Sequence, residues 1–220
     1  MPATLTTIDS LVRGVVGPSV ASGDGSPVPM RLGRNGELII GNGHGKYYEQ
    51  VARGKCYHAS MQAGASLGTA LTATAVTLTL YNPLNSGVVL ALLHAGVAIT
   101  TVPGVGNVNF AYAINVNPIA VAPATNTPAV IRNCLLGGPA GVGLAYTATT
   151  LPAAPVIARM MPGGMYFATA AAAAAPMSLT DWVDGSLVLA PNTAVTIQGI
   201  GIATSGIVSL MWEEIPLLAA

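Results

Sequence analysis

The stretch SLVLAPNTAVTIQGIGIATSGIVSLMWEEIP, residues 186–216, decides the fold class. It reads as strand, turn, strand, turn, strand. Residues 186–190, 194–203 and 207–215 are rich in Val, Ile and Leu, and β-branched side chains suit a pleated, half-buried surface. Between the first two runs lies the turn cluster Pro191-Asn192-Thr193. In the last run Val208, Leu210 and Trp212 share one parity, so they line one face of a strand. Pro216 ends that strand, having no N–H to give to a ladder. In the middle run Val195 and Ile197 are odd, whereas Ile200 and Ile202 are even. A β-bulge at Gly199 is the expected cause of this change of phase.

Upstream the same grammar recurs. Thr72, Thr74, Val76, Leu78 and Leu80 alternate with Ala and Thr over residues 72–80, which predicts a strand. A turn cluster over residues 82–87 leads into the apolar run 88–101. A run apolar on both faces belongs to a strand covered on both sides. Val108, Phe110, Tyr112, Ile114 and Val116 define the apolar face of another strand. The proline-broken middle of the chain leaves strands at residues 129–136 and 165–170, and its six-alanine stretch 170–175 is too short for a stable helix. A turn or two of helix is expected around Tyr47 and Val51, stopped by Gly54, before an extended segment over residues 56–61. Many short strands and almost no helix predict an all-β fold. The expected form is an antiparallel β-sandwich, jelly-roll-like, with an extended N-terminal arm. Residues 1–45, dense in Gly and Pro, form the arm, and residues 46–220 form the sandwich.

Composition narrows the function. Only 7% of the 220 residues are charged, against about 25% in an ordinary globular domain. Eight basic and eight acidic residues cancel, so little charge opposes association. A chain of this kind is expected to cover much of its surface with partners. The charge is also sorted. Residues 1–60 hold six of the basic residues and four of the acids; Arg132 and Arg159 face Asp181, Asp184, Glu213 and Glu214 in the remainder. No membrane span is expected, because the longest apolar run, residues 87–99, contains His94 and falls short of about 20 residues. With two Trp and two Phe, the aromatic girdles of a membrane barrel are missing. The N-terminus shows no basic segment leading into an apolar one, so no secretory signal is expected. Cys56 and Cys134 lie in no CxxC motif and are expected as free thiols in a reducing cytoplasm.

Catalysis needs polar residues, and few are present. His94 lies in the most apolar run and is expected as a core or interface residue. Cys56 and His58 share one face of a strand, but no third ligand is evident, so neither a metal nor any cofactor is expected. Residues 41–46 lack the spacing of a phosphate loop, since Tyr47 stands in the Ser/Thr place. Asp181, Trp182, Asp184 and Gly185 are expected to form an exposed turn. No enzymatic activity is expected. Six basic residues diluted by four acids make no specific nucleic-acid surface. The residues read as interface candidates are Arg31, Arg34, Tyr47, Tyr48, Trp212, Glu213 and Glu214; the last pair reads equally as a carboxylate meeting an arginine across an interface or as two solvated strand-end charges.

Three groups of residues carry a family resemblance. They are residues 32–40 (Leu-Gly-Arg-Asn-Gly-Glu-Leu-Ile-Ile) with His44-Gly-Lys-Tyr-Tyr-Glu49 and Arg53-Gly54, then Tyr81-Asn-Pro83 with Ser86-Gly87, and the segment Met211-Trp-Glu-Glu-Ile-Pro216. Together they resemble small structural virion proteins of tailed bacteriophages. The resemblance implies a Gly- and Pro-rich arm preceding a β-sandwich that packs on the capsid or at the head–tail region. The expected role is a capsid decoration or cement subunit in the virion, assembled in the host cytoplasm. It would attach through its arm and oligomerise as a trimer or another ring. The expected partners are copies of itself and other virion proteins such as the major capsid protein. A tail, collar or fibre component is the alternative within the class. A carbohydrate- or receptor-binding module, with an aromatic platform near Trp182 or Tyr166, is the alternative outside it.

Overall fold

A computed structural model describes residues 45–74, 77–101, 104–115, 125–168 and 177–217. The arm expected over residues 1–45 lies outside them except for Gly45, as do Arg31, Arg34, Val76, Val116 and the alanine stretch. The described strands all belong to the unit Tyr47–Ala220. One short helix, α1 (Tyr48–Ala52), comes first, followed by β1 (Cys56–Ser60), β2 (Ala65–Ser66), β3 (Thr79–Asn82) and β4 (Val88–Thr101). Next are β5 (Gly106–Ile114), β6 (Thr125–Pro128), β7 (Ile131–Asn133), β8 (Leu144–Thr150), β9 (Val156–Met160) and β10 (Met165–Phe167). The long strands β11 (Met177–Leu189), β12 (Thr193–Gly201) and β13 (Ser205–Pro216) complete the set.

Two antiparallel sheets pack face to face. The first has the order β11-β4-β13-β1-β7, with β2 also on β13; the second has the order β10-β5-β12-β3-β8-β6, with β9 also on β5. If β9 and β10 count as one interrupted strand, the main strands are shared out as in a jelly roll, β1, β4, β11 and β13 in one sheet and β3, β5, β9/β10 and β12 in the other, with the chain changing sheet at every step except from β5 to β9/β10. Strands β6, β7 and β8 are an insertion that widens both sheets on one flank.

The period-2 pattern fills the space between the sheets. From the first sheet come Tyr57, Leu90, Leu92, Val208, Leu210 and Trp212; from the second come Leu80, Val108, Phe110, Tyr112, Val195 and Ile197, all buried. In β4 the inward set changes phase after Leu92 and resumes at Ala95, Val97 and Ile99. An extra residue, Leu93, sits between the pairs Trp212–Leu92 and Met211–His94. This bulge turns His94 to the outer face of the first sheet.

The hairpin residues act as read. Asn192 takes a left-handed conformation (φ 66°) between β11 and β12, and Asn85 (φ 61°) does so between β3 and β4; Asn tolerates this better than most residues. Asn82, fully buried, donates from Nδ2 to the Val88 and Leu189 carbonyls at 2.9 Å each. One side chain of the second sheet thereby staples two strands of the first.

Four expectations need correction. The strand read over residues 72–80 begins only at Thr79. Thr72 instead pairs with a side chain: Gln198 Oε1 accepts from its N–H at 2.8 Å and Gln198 Nε2 donates to its carbonyl at 2.9 Å. Gly199 is not a bulge, since β12 runs beside β5 from Val195–Ile114 to Gly201–Val108 without a shift. It is a point of close approach, where a Cβ would lie 3.0 Å from the Leu67 carbonyl oxygen. Of the span 129–136 only β7, Ile131–Asn133, is a strand, and the residues on either side of it are loop. Finally, Asp181 to Gly185 is no exposed turn but part of β11, bulged between Trp182 and Leu187 with Asp184 at φ 52° and Gly185 at φ 77°.

Candidate functional site

The bulge in β11 gives neighbouring residues opposite fates. Trp182 points outward and is 60% exposed, while Asp181, one residue earlier, points between the sheets and is buried. On the outside, the Trp182 ring lies 4.6 Å from that of His94 on β4 and stacks on Tyr47 at 6.0 Å with 18° between planes. The Tyr47 hydroxyl donates to Asp184 Oδ1. A cluster of three rings with a carboxylate at its rim results. Burial lowers the His94 pKa below the usual histidine value, with Asp181 opposing that shift. The neutral imidazole is therefore favoured beside the indole. Tyr166, on β10, is also exposed.

Between the sheets, Asp181 is bound from the opposite layer. The Tyr112 hydroxyl donates to Asp181 Oδ2 at 2.8 Å, and Arg159 of β9 forms an ion pair with the same oxygen. Arg159 also donates to Ser186 Oγ at 3.0 Å and places its guanidinium 5.4 Å from the Tyr112 ring centre. Burial, then the bond to Asp181, pushes the Tyr112 phenol far above the ordinary tyrosine range. With its partners all from the chain itself, Asp181 ties the two layers.

The two glutamates of β13 divide in the same manner. Glu214 shares the inward parity of Trp212 and is buried. Its carboxylate accepts from the Val142 N–H at 2.9 Å on both oxygens and from the Gly143 N–H at 2.8 Å. Trp212 Nε1 points at Oε1 from 3.4 Å, and the Trp212 ring stacks on Tyr57 at 6.1 Å. Both flanking glycines leave room for this carboxylate and the indole beside it. A Cβ on Gly141 would come 2.6 Å from Glu214 Oε1, and one on Gly143 would come 3.1 Å from Trp212 Nε1. Trp212 and Glu214 are therefore not available to a partner, which corrects their reading as interface residues; an inward parity places them in the chain's own core. Glu213 lies opposite Cys56 on the other face, half-buried, and burial raises its carboxyl pKa. Tyr48 is half-exposed on α1, and Tyr47 belongs to the Trp182 cluster. The functional reading of sequence missed His94 in that cluster, since the bulge that turns it outward has no signature in one apolar run.

Cys134 Sγ lies 3.7 Å from His58 Nδ1. Burial pushes both thiols up, Cys56 to about 12 with help from Cys134 and Glu213, the reverse of an activated thiolate. Among the described residues no three His, Cys, Asp or Glu groups converge as a metal cluster, and no helix is long and apolar enough to cross a membrane. An uncharged groove of about 600 Å³ lies between residues 60–66 and the strands β6 and β8, with Met61, Pro128, Ala129 and Val130 in its wall.

These features define a jelly-roll sandwich with an exposed aromatic cluster and polar groups spent on its own cohesion. No family model matches the chain, and neither a curated protein nor a solved structure matches it significantly.

Proposed function

We propose that this chain is a structural subunit of a virion, a capsid decoration or cement protein of a tailed phage. In this reading it assembles with copies of itself through the flanks of its sandwich and attaches to other virion proteins through residues 1–45. The observation that carries the assembly reading is the surface of the two flanks. On one, the strand edges at β9, β10 and β11 expose Val156, Ile157, Met160, Tyr166 and Val188; on the other, Val130, Leu135, Leu136, Val142 and Leu144 are exposed around β6, β7 and β8. Leu136 is 83% exposed. Apolar side chains grouped beside open strand edges mark association surfaces. Two unlike patches on opposite flanks suit a head-to-tail contact, which closes into a ring when the rotation permits. A net charge of zero puts no repulsion in its way. The phage assignment rests on the sequence resemblance.

The test is the mass of the full chain in solution by analytical ultracentrifugation. A closed oligomer is expected, which Leu136→Asp weakens; a well-behaved monomer at tens of micromolar would overturn the reading. Deleting residues 2–40 is expected to abolish attachment to capsids while leaving the sandwich folded. Unchanged attachment would remove the arm as anchor.

A second reading, a carbohydrate- or receptor-binding module, is favoured by one observation: the Trp182 ring, exposed and backed by Tyr47 and His94 with Asp184 beside it. An aromatic face takes the apolar face of a sugar ring, and the carboxylate accepts from its hydroxyls. Glycan-array binding that Trp182→Ala abolishes would favour this reading over the first.

A further inference from the structure

The chain has two cysteines, and the fold brings them face to face. Strands β1 and β7 pair Ala59 with Ile131, His58 with Arg132 and Tyr57 with Asn133. The next step of that register sets Cys56 against Cys134, and the Cys134 N–H donates to the Cys56 carbonyl at 2.9 Å. Tyr57 and Asn133 are both buried toward the interior, so alternation puts Cys56, His58 and Cys134 together on the outer face. Directly opposed residues in a hydrogen-bonded antiparallel pair have Cα atoms about 5.5 Å apart, inside the span of roughly 4.4–6.8 Å that a disulfide bridges. Their Cβ atoms, about 5–5.5 Å apart in such a pair, must approach by about 1–1.5 Å to about 4 Å. The place allows it: Cys134 is the residue at which β7 gives way to the loop containing Gly137 and Gly138. Its sulfur now lies beside His58 Nδ1, close enough to Cys56 to raise that thiol's pKa, and closing the bond would turn it from the imidazole toward Cys56.

We propose that Cys56 and Cys134 form a reversible cross-strand disulfide that fastens the loop of residues 134–143 to β1. The oxidant is a small disulfide, RSSR. Cys134, the less buried of the two, gives its proton to His58 Nδ1 and attacks one sulfur of RSSR, releasing RS⁻, which is protonated to RSH. Cys56 then loses its proton to solvent and attacks the Cys134 sulfur of the mixed disulfide, expelling the second RS⁻, which is protonated in turn. Two cysteine thiols are oxidised to one disulfide, and RSSR is reduced to two RSH. Burial holds both thiols protonated at neutral pH, so the reaction is slow there and accelerates as pH rises. The same loop is held from inside by Glu214 on Val142 and Gly143 and by Asn133 Nδ2 on the Pro139 carbonyl at 3.0 Å. The bond adds a covalent tie to a segment that already has polar ones. The inference is independent of the assembly reading.

The test treats the full-length protein with oxidised glutathione at pH 8.5, then alkylates and weighs it intact. The expected product has no alkylatable thiol, a mass lower than the reduced chain by two hydrogens, and one cross-linked peptide pair containing Cys56 and Cys134. Dithiothreitol restores both thiols. In Cys56→Ser the reaction stops with glutathione on Cys134, and His58→Ala slows the first step without changing the final product. The oxidised wild type unfolds at a higher temperature than the reduced form, a shift absent from Cys56→Ser. Two persistent free thiols, separate glutathione adducts on both cysteines of the wild type, or disulfide-linked dimers would each overturn the proposal. Because the decisive readings use the wild type, a variant that fails to fold does not blunt them.

Discussion

Glu214 offers the sharpest test of how the sandwich is held together. Its carboxylate is the acceptor for the Val142 and Gly143 N–H groups, at 2.8–2.9 Å, in a buried site. Replacing Glu214 with Ala leaves one buried donor, the Gly143 N–H, and one part-buried donor, the Val142 N–H, without that acceptor. Each orphaned group costs about 1–3 kcal/mol, and lost packing against Trp212 adds to it, so the expected loss is about 3–5 kcal/mol. A domain stable by about 5–15 kcal/mol loses a large share of its margin. Glu214→Gln keeps an oxygen where Oε1 meets both donors, and its expected cost is only about 1–2 kcal/mol. Gly141→Ala drives a methyl group to 2.6 Å from the same oxygen and is expected to fall between the two. The assay is urea unfolding followed by tryptophan fluorescence, since fully buried Trp212 reports on the core. It is run at two protein concentrations to separate folding from association. The expected order of midpoints is wild type, Gln, then Gly141→Ala, then Ala, with unchanged slopes. An Ala variant within about 1 kcal/mol of wild type, the usual scale of an unremarkable substitution, would refute the reasoning. So would a Gln variant as weak as Ala.

Removing Asp181 breaks the tie between layers. Asp181→Ala is expected to cost about 2–4 kcal/mol, toward the lower end for a buried pair because Arg159 retains contact with water, and thermal unfolding of the double variant with Arg159→Met measures the coupling. His94 sets a pH dependence. Its folded pKa lies below its unfolded value, so on acidification the unfolded chain takes up the proton first and stability falls as pH drops through about 6.5; His94→Gln is expected to flatten the stability profile between pH 7 and 5. Glu213 carries the opposite sign. Its raised carboxyl pKa means a contribution present at low pH and lost as pH rises through the folded value, so Glu213→Gln is expected to raise the unfolding midpoint at pH 7 but not at pH 4. Gly201→Ala, at φ 122° with a Cβ placed 2.1 Å from the Asn107 carbonyl oxygen, is expected to shift the β5–β12 amide signals in an NMR spectrum and lower the melting temperature.

The sandwich was legible where alternation is unambiguous. Val208, Leu210 and Trp212, and Val108, Phe110 and Tyr112, all face the core from the parity read in sequence. Turns marked by Asn192 and Asn85 were legible for the same local reason. Legibility failed where a side chain or a bulge replaces the ladder. Gln198 bonding Thr72 looks like any polar residue in a strand, and the left-handed Asp184-Gly185 pair inside β11 looks like a turn between two strands. The parity that placed Trp212 inward also placed Glu214 inward. A buried carboxylate needs donors, and the Val142 and Gly143 N–H groups, on a loop distant in sequence, supply them. The facing of Cys56 and Cys134 depends on which distant strands pair, and no local pattern encodes it.

The position of β13 has a consequence for synthesis. It is the last of the described strands to be synthesised, yet it lies in the middle of its sheet between β4 and β1. Until it arrives, both of those strands hold an unpaired edge, and β4 is a long, strongly apolar one. Nascent chains are therefore sticky through most of translation, and closing such distant pairings is slow. A stalled or truncated chain that lacks residues 205–216 would present a template for aggregation, and the full chain removes it in a single insertion.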